Sequence, residues 1–307
     1  MIKAAIMGAD SPDGGELIRI LAMHPDVEIV AAQAQGLEGK RITSHHHGLI
    51  GETTLPFTGT IDYSAIDVLF VCSMTLSTVE FNQIRMSRPD LKVIIMDSMS
   101  KVEPERNGIV YGLPEINRKL LVRGATCAMV PRSFASMALV ALFPFATHLL
   151  LNSDIRISLA APQAILEATD LDAVKAEIGH QLQEVQRSFN GDITIDTNVS
   201  EARRSALMEI EFDCQLSLQQ MLDLYDIYDD HRFAFTTTTP VGVSEVAGTN
   251  KCVISVTKGT PGRASLGVAA DCRLRGAAGE AVHIMNLMFG LHEKTGLALK
   301  AIDFEQV

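Results

Sequence analysis

The sequence predicts an α/β protein in two parts: a parallel sheet with crossover helices, then a smaller α+β domain on a mostly antiparallel sheet. Three observations predict it. The first third alternates short β-branched runs with helical stretches, and the chain beyond Asp154 changes to longer strands. A late stretch then has the apolar spacing of a buried helix.

"IKAAIMG" reads as the first strand and "GGELIRILAMH" as the helix that crosses over from it; "VEIVAAQ" follows as the second strand. "IDVLFVC", "STVEFNQIRM" and "LKVIIMD" repeat the strand–helix–strand pattern, and "GATCAMV" is another core strand leading into a helix over 133–150. The second part is read from "DIRISLAA", "SALMEIEFDCQ", "KCVISVTKG" and "ASLGVAADCRL" as strands, with helices over 172–188 and 218–229. "GAAGEAVHIMNLMFGLH" is the late helix, which closes the chain back on the first part. The predicted division is residues 1–132 with 280–307 for a Rossmann-type domain, and 133–279 for the α+β domain.

Composition excludes several classes of function. A formal net charge of −11, with no basic cluster, repels a phosphate backbone and argues against a nucleic-acid partner. The longest apolar stretch, "FASMALVALFPFATHLLL", is interrupted by Pro144 and His148, so it falls short of the roughly 18 to 20 apolar residues of a membrane span. The opening "MIKAAIMGAD" lacks the zones of a signal peptide, which makes a cytoplasmic location the expectation. The five cysteines are scattered, odd in number and mostly inside apolar runs, the pattern of reduced core thiols. His45, His46 and His47 are adjacent, and neighbours on an extended chain point to opposite sides, so no metal site is expected there.

"GADSPDGGELIRIL" follows the first strand and opens a helix, the context of a dinucleotide-binding turn. Gly8 and Gly14 hold the outer glycine positions, while Ser11 takes the middle one and Pro12 follows. Gly8, Ser11, Asp13 and Gly14 are the candidate cofactor-binding residues. A side chain at position 11 crowds the approach of a pyrophosphate, although the Ser11 hydroxyl is also able to donate to it. After the second strand, "AQAQGLEGKR" offers only Lys40 or Arg41 as a cation for a 2′-phosphate, and Arg41 completes the cofactor set.

Four segments together carry a resemblance over nearly the whole chain: "GGELIRIL" with "HPDVEIV", "YGLPEINR" at 111–118, "GTNKCVI" at 248–254 and "RGAAGEAVHIMNLMFGL" at 275–291. On these the chain resembles the N-acetyl-gamma-glutamyl-phosphate reductases of arginine biosynthesis, relatives of the aspartate-semialdehyde dehydrogenases. The resemblance implies an acyl-phosphate reduction: a thiolate attacks the acyl carbon, phosphate leaves, and NADPH delivers hydride to the thioester. It also implies NADP as cofactor, bound weakly given Ser11 and Pro12, and a homodimer or homotetramer.

The catalytic pattern departs from the family at the thiol, the base and the substrate loop, while Pro131 is kept and Arg204 stays in register with a family Arg. Where the family has "NPGCYPT", this chain has "VPRSFAS" at 130–136, which puts Val130 at the Asn, Arg132 at the Gly and Ser133 at the Cys. Asp172 and Val174 stand at the two His of a pattern like "HRHTPEIEQEL", and His180 lies further along the same helix. The family's Gly-rich substrate loop is replaced by "LAAPQAILEATD", "IMDSMSKV" lacks a family Arg, and Asn198 falls at a family His. Ser133 is therefore the candidate catalytic residue, and Arg132, Glu115 and Arg204 are the substrate-binding candidates. The departures predict a protein impaired in the family reaction. An active NADP-dependent oxidoreductase that makes a semialdehyde from an acyl phosphate is the alternative. A serine-hydrolase reading of Ser133 and Ser136 fails for want of a GxSxG elbow.

Overall fold

The computed structural model describes residues 1–73, 77–96 and 108–301, apart from the Lys258 side chain. The chain forms two compact units, the first from Met1–Pro131 with Ala277–Ala298 and the second from Arg132–Gly276. Each has its own sheet.

In the first unit the strands are β1 (Ile2–Met7), β2 (Val27–Gln33), β3 (Val68–Val71), β4 (Lys92–Ile95), β5 (Val110–Tyr111) and β6 (Cys127–Met129). They lie in the order β2-β1-β3-β4-β6-β5, and every pairing is parallel. Strands covered on both faces are apolar throughout, and all four residues of β3 are buried. The helix α1 (Pro12–Leu21) starts as its sequence dictates, with Pro12 in the first position and Ser11 as the cap. Next come α2 (Thr78–Ser87), opened by a Ser77–Glu80 capping box, and α3 (Pro114–Val122). Gly112, just before α3, is required by close approach, since a Cβ there would lie 2.5 Å from Ile284 Cδ1 and 2.7 Å from the Met129 carbonyl.

The second unit begins with α4 (Ser133–Thr147) and holds β7 (Ile155–Pro162), α5 (Gln163–Glu167), α6 (Leu171–Val185), β8 (Ile193–Ser200) and β9 (Ser205–Asp213). It continues with α7 (Leu218–Asp223), β10 (Ala234–Thr237), β11 (Cys252–Lys258) and β12 (Arg263–Asp271). The sheet order is β10-β11-β12-β9-β7-β8, antiparallel at its centre and parallel at the two outer pairings. Alternation sets its faces. Ile155, Ile157 and Leu159 of β7 and Met208, Ile210 and Phe212 of β9 are buried, while Arg156 pairs with Glu211 and Ser158 with Glu209 on the other face.

The apolar stretch 134–151 forms most of α4, buried along nearly its whole length, and no helix among the described residues is long and apolar enough to cross a membrane. Pro144 lies inside α4 and has no N–H to return to the Val140 carbonyl. The Tyr228 hydroxyl donates to that carbonyl at 2.8 Å, and the Tyr225 hydroxyl to Ala141 O at 2.7 Å. A break in the helix ladder is thus closed from a neighbouring element.

The last helix, α8 (Ala278–Met288), is buried at every residue and packs against α1, α3 and β4 of the first unit. Two of its polar residues, Asn286 and His283, meet buried partners. His24 Nε2 meets Asn286 Oδ1 at 3.0 Å, and His283 Nε2 lies 2.8 Å from Glu293, whose other carboxylate oxygen accepts from Arg118 at 2.6 Å.

The helix expected over 218–229 is instead α7 followed by a 3₁₀ segment, Leu224–Tyr228, whose tyrosines reach α4. Strands β5, β8 and β10 and helix α3 add to those expected from the sequence. Tyr228→Phe should leave the Val140 carbonyl buried without its donor and cost about 1–3 kcal/mol. A urea titration checks it: the midpoint falls while the slope stays constant.

Candidate functional site

In the first unit, β1 ends on Gly8, whose φ of +73° suits glycine. A Cβ at Gly8 would lie 2.3 Å from Ser73 Oγ, and one at Gly14 would lie 2.7 Å from the Gly8 carbonyl, so the start of α1 is packed directly on the turn. The Ser11 hydroxyl donates to Gly8 O at 2.8 Å and accepts from Gly14 N–H at 3.0 Å. Its proton is given to the turn. Ser11 N–H also donates to Gly8 O, and Gly15 N–H to Ser11 O.

A cavity of about 1050 Å³ opens beside this turn. Gly8 and Ser11 line it, together with Gln33 at the end of β2, Gln35 and Glu38 beyond it, and Tyr63 and Glu80. Gly14 is buried beneath, Asp13 sits in the first turn of α1, and Arg41 is exposed in a bridge to Pro56; none of these three lies on the cavity wall. Burial, and after it the Glu80 charge, raises the Tyr63 hydroxyl above its ordinary pKa. The glycine turn, the adjoining helix start and the size of the cavity fit a dinucleotide.

His45 and His46 have a place that adjacency alone does not reveal. Each imidazole donates through Nε2 to the turn, His45 to Asp10 O at 3.0 Å and His46 to Ala9 O at 2.7 Å, and both rings pack edge-on against Phe57. The His46 ring also presses on Gly15, where a Cβ would lie 2.7 Å from Nδ1. The two histidines hold the turn from outside.

In the second unit, the start of α4 is occupied by the chain itself. Arg132 is the cap residue, and the Glu177 carboxylate of α6 accepts from both Arg132 N–H at 3.2 Å and Arg132 Nη1 at 2.7 Å. Ser133 Oγ donates to the Cys272 carbonyl at 2.9 Å and lies 3.4 Å from Gly276 O. Gly276 has a φ of +63°, and a Cβ there would lie 2.4 Å from Ser133 Cα. Arg275, fully buried, donates to Ser136 Oγ at 2.8 Å.

The remaining predicted positions are placed as follows. Val174 is buried in the core, Asp172 is exposed beside Lys175, and His180 is exposed. Arg204 pairs with buried Asp271, which also accepts from the N–H groups of Gly248 and Arg273. Burial pushes the Asp271 carboxyl up, against the pull of Arg204 and the two amides. Glu115 is buried at the start of α3 in the first unit. β7 runs straight into α5, leaving no room for a glycine-rich loop, and Asn198 is exposed on β8 beside Ala160. The stretch compared with a family Arg lies, from residue 97 on, outside the described residues.

All five thiols are buried, and desolvation pushes Cys127 and Cys272 up to about 12. Neither is a thiolate at neutral pH. At pH 8 Ellman's reagent should release no prompt thiol from native protein and titrate all five in guanidinium.

Comparison with known proteins bears on the family and the fold. The family model "Semialdehyde dehydrogenase, NAD binding domain" matches residues 3–123. Curated N-acetyl-gamma-glutamyl-phosphate reductases of Parabacteroides distasonis and Phocaeicola vulgatus are 32% and 33% identical, with 99% of this chain and 100% of each relative aligned. Among solved structures, aspartate semialdehyde dehydrogenase II of Vibrio cholerae shares the fold at 16% identity and a TM-score of 0.67, covering 94% of this chain and 99% of that one. The Candida albicans aspartate semialdehyde dehydrogenase, solved with NADP, does so at 13% identity and 0.66, covering 94% and 98%. A full-length likeness at this identity, on a fold shared with those dehydrogenases, places the chain in the N-acetyl-gamma-glutamyl-phosphate reductase family.

Proposed function

We propose that this family member binds a dinucleotide weakly and does not reduce acyl phosphates by the covalent route that the resemblance implies. The observation that carries this reading is the Ser133 hydroxyl, which the resemblance sets at the family's nucleophile and which donates a hydrogen bond to the Cys272 carbonyl. A thiol with a pKa of about 8.5 ionises readily at a helix start, whereas an alcohol needs a positioned base during attack. No histidine stands in the family's place: Val174 is core, and Asp172 is an exposed carboxylate beside Lys175. An oxygen ester is also a poorer hydride acceptor than a thioester.

The surroundings support the same reading. Arg132 and the first free N–H of α4 are held by Glu177, so a carboxylate of the protein stands where an anionic substrate would gain from the helix end. In the first unit the Ser11 hydroxyl and the Gly14 N–H are spent on each other. Gly8, Ser11 and Gln33 would hold the dinucleotide, and nicotinamide, when bound, supplies hydride chemistry. An active NADP-dependent oxidoreductase remains the competing reading, and the assays below distinguish the two.

NADPH oxidation with N-acetyl-glutamyl phosphate should stay at background for the wild type and for Ser133→Cys. The thiol returns one part, while the base and the substrate orientation are still missing; positioned acid–base groups alone typically contribute about 10² to 10⁴ in rate. Turnover by the wild type that is lost in Ser133→Ala would establish the serine as a nucleophile and overturn the proposal. Calorimetric titration with NADPH should give a dissociation constant weaker than micromolar. The assembly proposed from the family likeness is a homodimer or homotetramer, and light scattering that gives a monomer would refute it.

A further inference from the structure

Rossmann sheets recognise the adenosine ribose through the residues just beyond the second strand. A carboxylate about 20 residues past the glycine turn binds a free 2′-hydroxyl, or an arginine nearby accepts a 2′-phosphate. Here that region presents Gln33, Gln35 and Glu38 to the cavity. Glu38 is fixed on two sides. Its Oε1 accepts from Gly36 N–H at 3.0 Å, and its stem packs on Gly59, where a Cβ would lie 2.8 Å from Glu38 Cγ. The Gly59 carbonyl in turn accepts from the Gln33 side chain at 3.2 Å.

The charge on the cavity wall has one sign. Among the described residues the cavity wall carries Asp10, Glu38 and Glu80 and no lysine or arginine. Arg88, behind Tyr63, is spent on Asp90 and on the Tyr63 and Ile66 carbonyls. Lys40 and Arg41 are exposed and off the wall. Lys40 is the smallest of the influences that lower the Glu38 carboxyl pKa, behind the amides of Glu38 and Gly36. A 2′-phosphate would meet a fixed carboxylate, whereas a 2′-hydroxyl would have an acceptor.

From this we infer that the cavity selects a dinucleotide with an unphosphorylated adenosine ribose, NAD-type over NADP-type, and that Glu38 is the residue that sets the preference. The inference rests on the dinucleotide reading above and departs from the NADP that the family resemblance implies. Like charges a few ångströms apart at a protein surface are worth about tenfold or more in affinity.

The test is calorimetric titration of the full chain with ADP-ribose and with 2′-phospho-ADP-ribose, which carry no nicotinamide and so report binding without turnover. Wild type should bind ADP-ribose at least about tenfold more tightly than the phosphorylated ligand. Glu38→Gln should close most of that gap by tightening the phosphorylated ligand, and Glu38→Arg should invert the order. Because Glu38 is exposed, both variants should melt with the wild type, which is verified alongside. Equal or tighter binding of the phosphorylated ligand to wild type, or an unchanged ratio in Glu38→Gln, overturns the inference and leaves the dinucleotide reading standing. No binding of either ligand at millimolar concentration overturns both.

Discussion

An α-helix begins with N–H groups that nothing inside it is able to satisfy, and enzymes use those groups to hold anions. In this protein each of the two candidate helix starts has one such N–H taken by the chain itself. At α1 the Ser11 hydroxyl accepts from the Gly14 N–H and donates a hydrogen bond to the Gly8 carbonyl. At α4 the Glu177 carboxylate takes the Arg132 N–H and binds the guanidinium as well. A ligand at either place competes with an intramolecular partner of high effective concentration, and only the net difference appears as affinity.

Much of the fold is legible in the sequence, because burial on both faces writes itself as unbroken apolar runs. β3 is of that kind throughout, as are β1 beyond Lys3 and β4 beyond Lys92. What escaped was written in another way. β8, "ITIDTNVS", is an edge strand whose residues are at most half-buried, so it has no apolar face to announce it. β5 has two residues and no periodicity at all. The helix expected over 218–229 carries a plausible pattern, but Tyr225 and Tyr228 are committed to the carbonyls of α4, and the second half winds tighter to deliver them.

The site was legible in outline and not in its contacts. Gly8 and Gly14 follow from the turn they serve, and Ser133 follows from the alignment of one strand–helix junction. The partners of those residues come from remote segments: His45 and His46 reach back to the β1–α1 turn, Glu177 reaches Arg132 from α6, and Cys272 receives the Ser133 proton. No local pattern encodes a hydrogen bond between residues so far apart in the chain. The histidine run shows this most clearly, because adjacency excludes convergence on one metal ion yet gives no hint that two neighbouring carbonyls await two neighbouring rings.

The departures at positions 132 and 174 are linked mechanically through α6. Val174, Ile178 and Leu182 form its buried stripe, and that stripe sets the rotation of the helix as it packs against α4. Glu177 stands three residues beyond Val174 and one before Ile178, at the edge of the stripe, so the same rotation that buries Val174 brings the Glu177 carboxylate to Arg132. A valine at 174 and an arginine at 132 are therefore parts of one packing solution: the first lets α6 seat fully, and the second gives the carboxylate carried in by that seating a cation to meet. A polar side chain at 174 would have to be desolvated or would turn the helix, and either change would disturb the pair at the start of α4. The start of α4 and the buried face of α6 are for that reason constrained together.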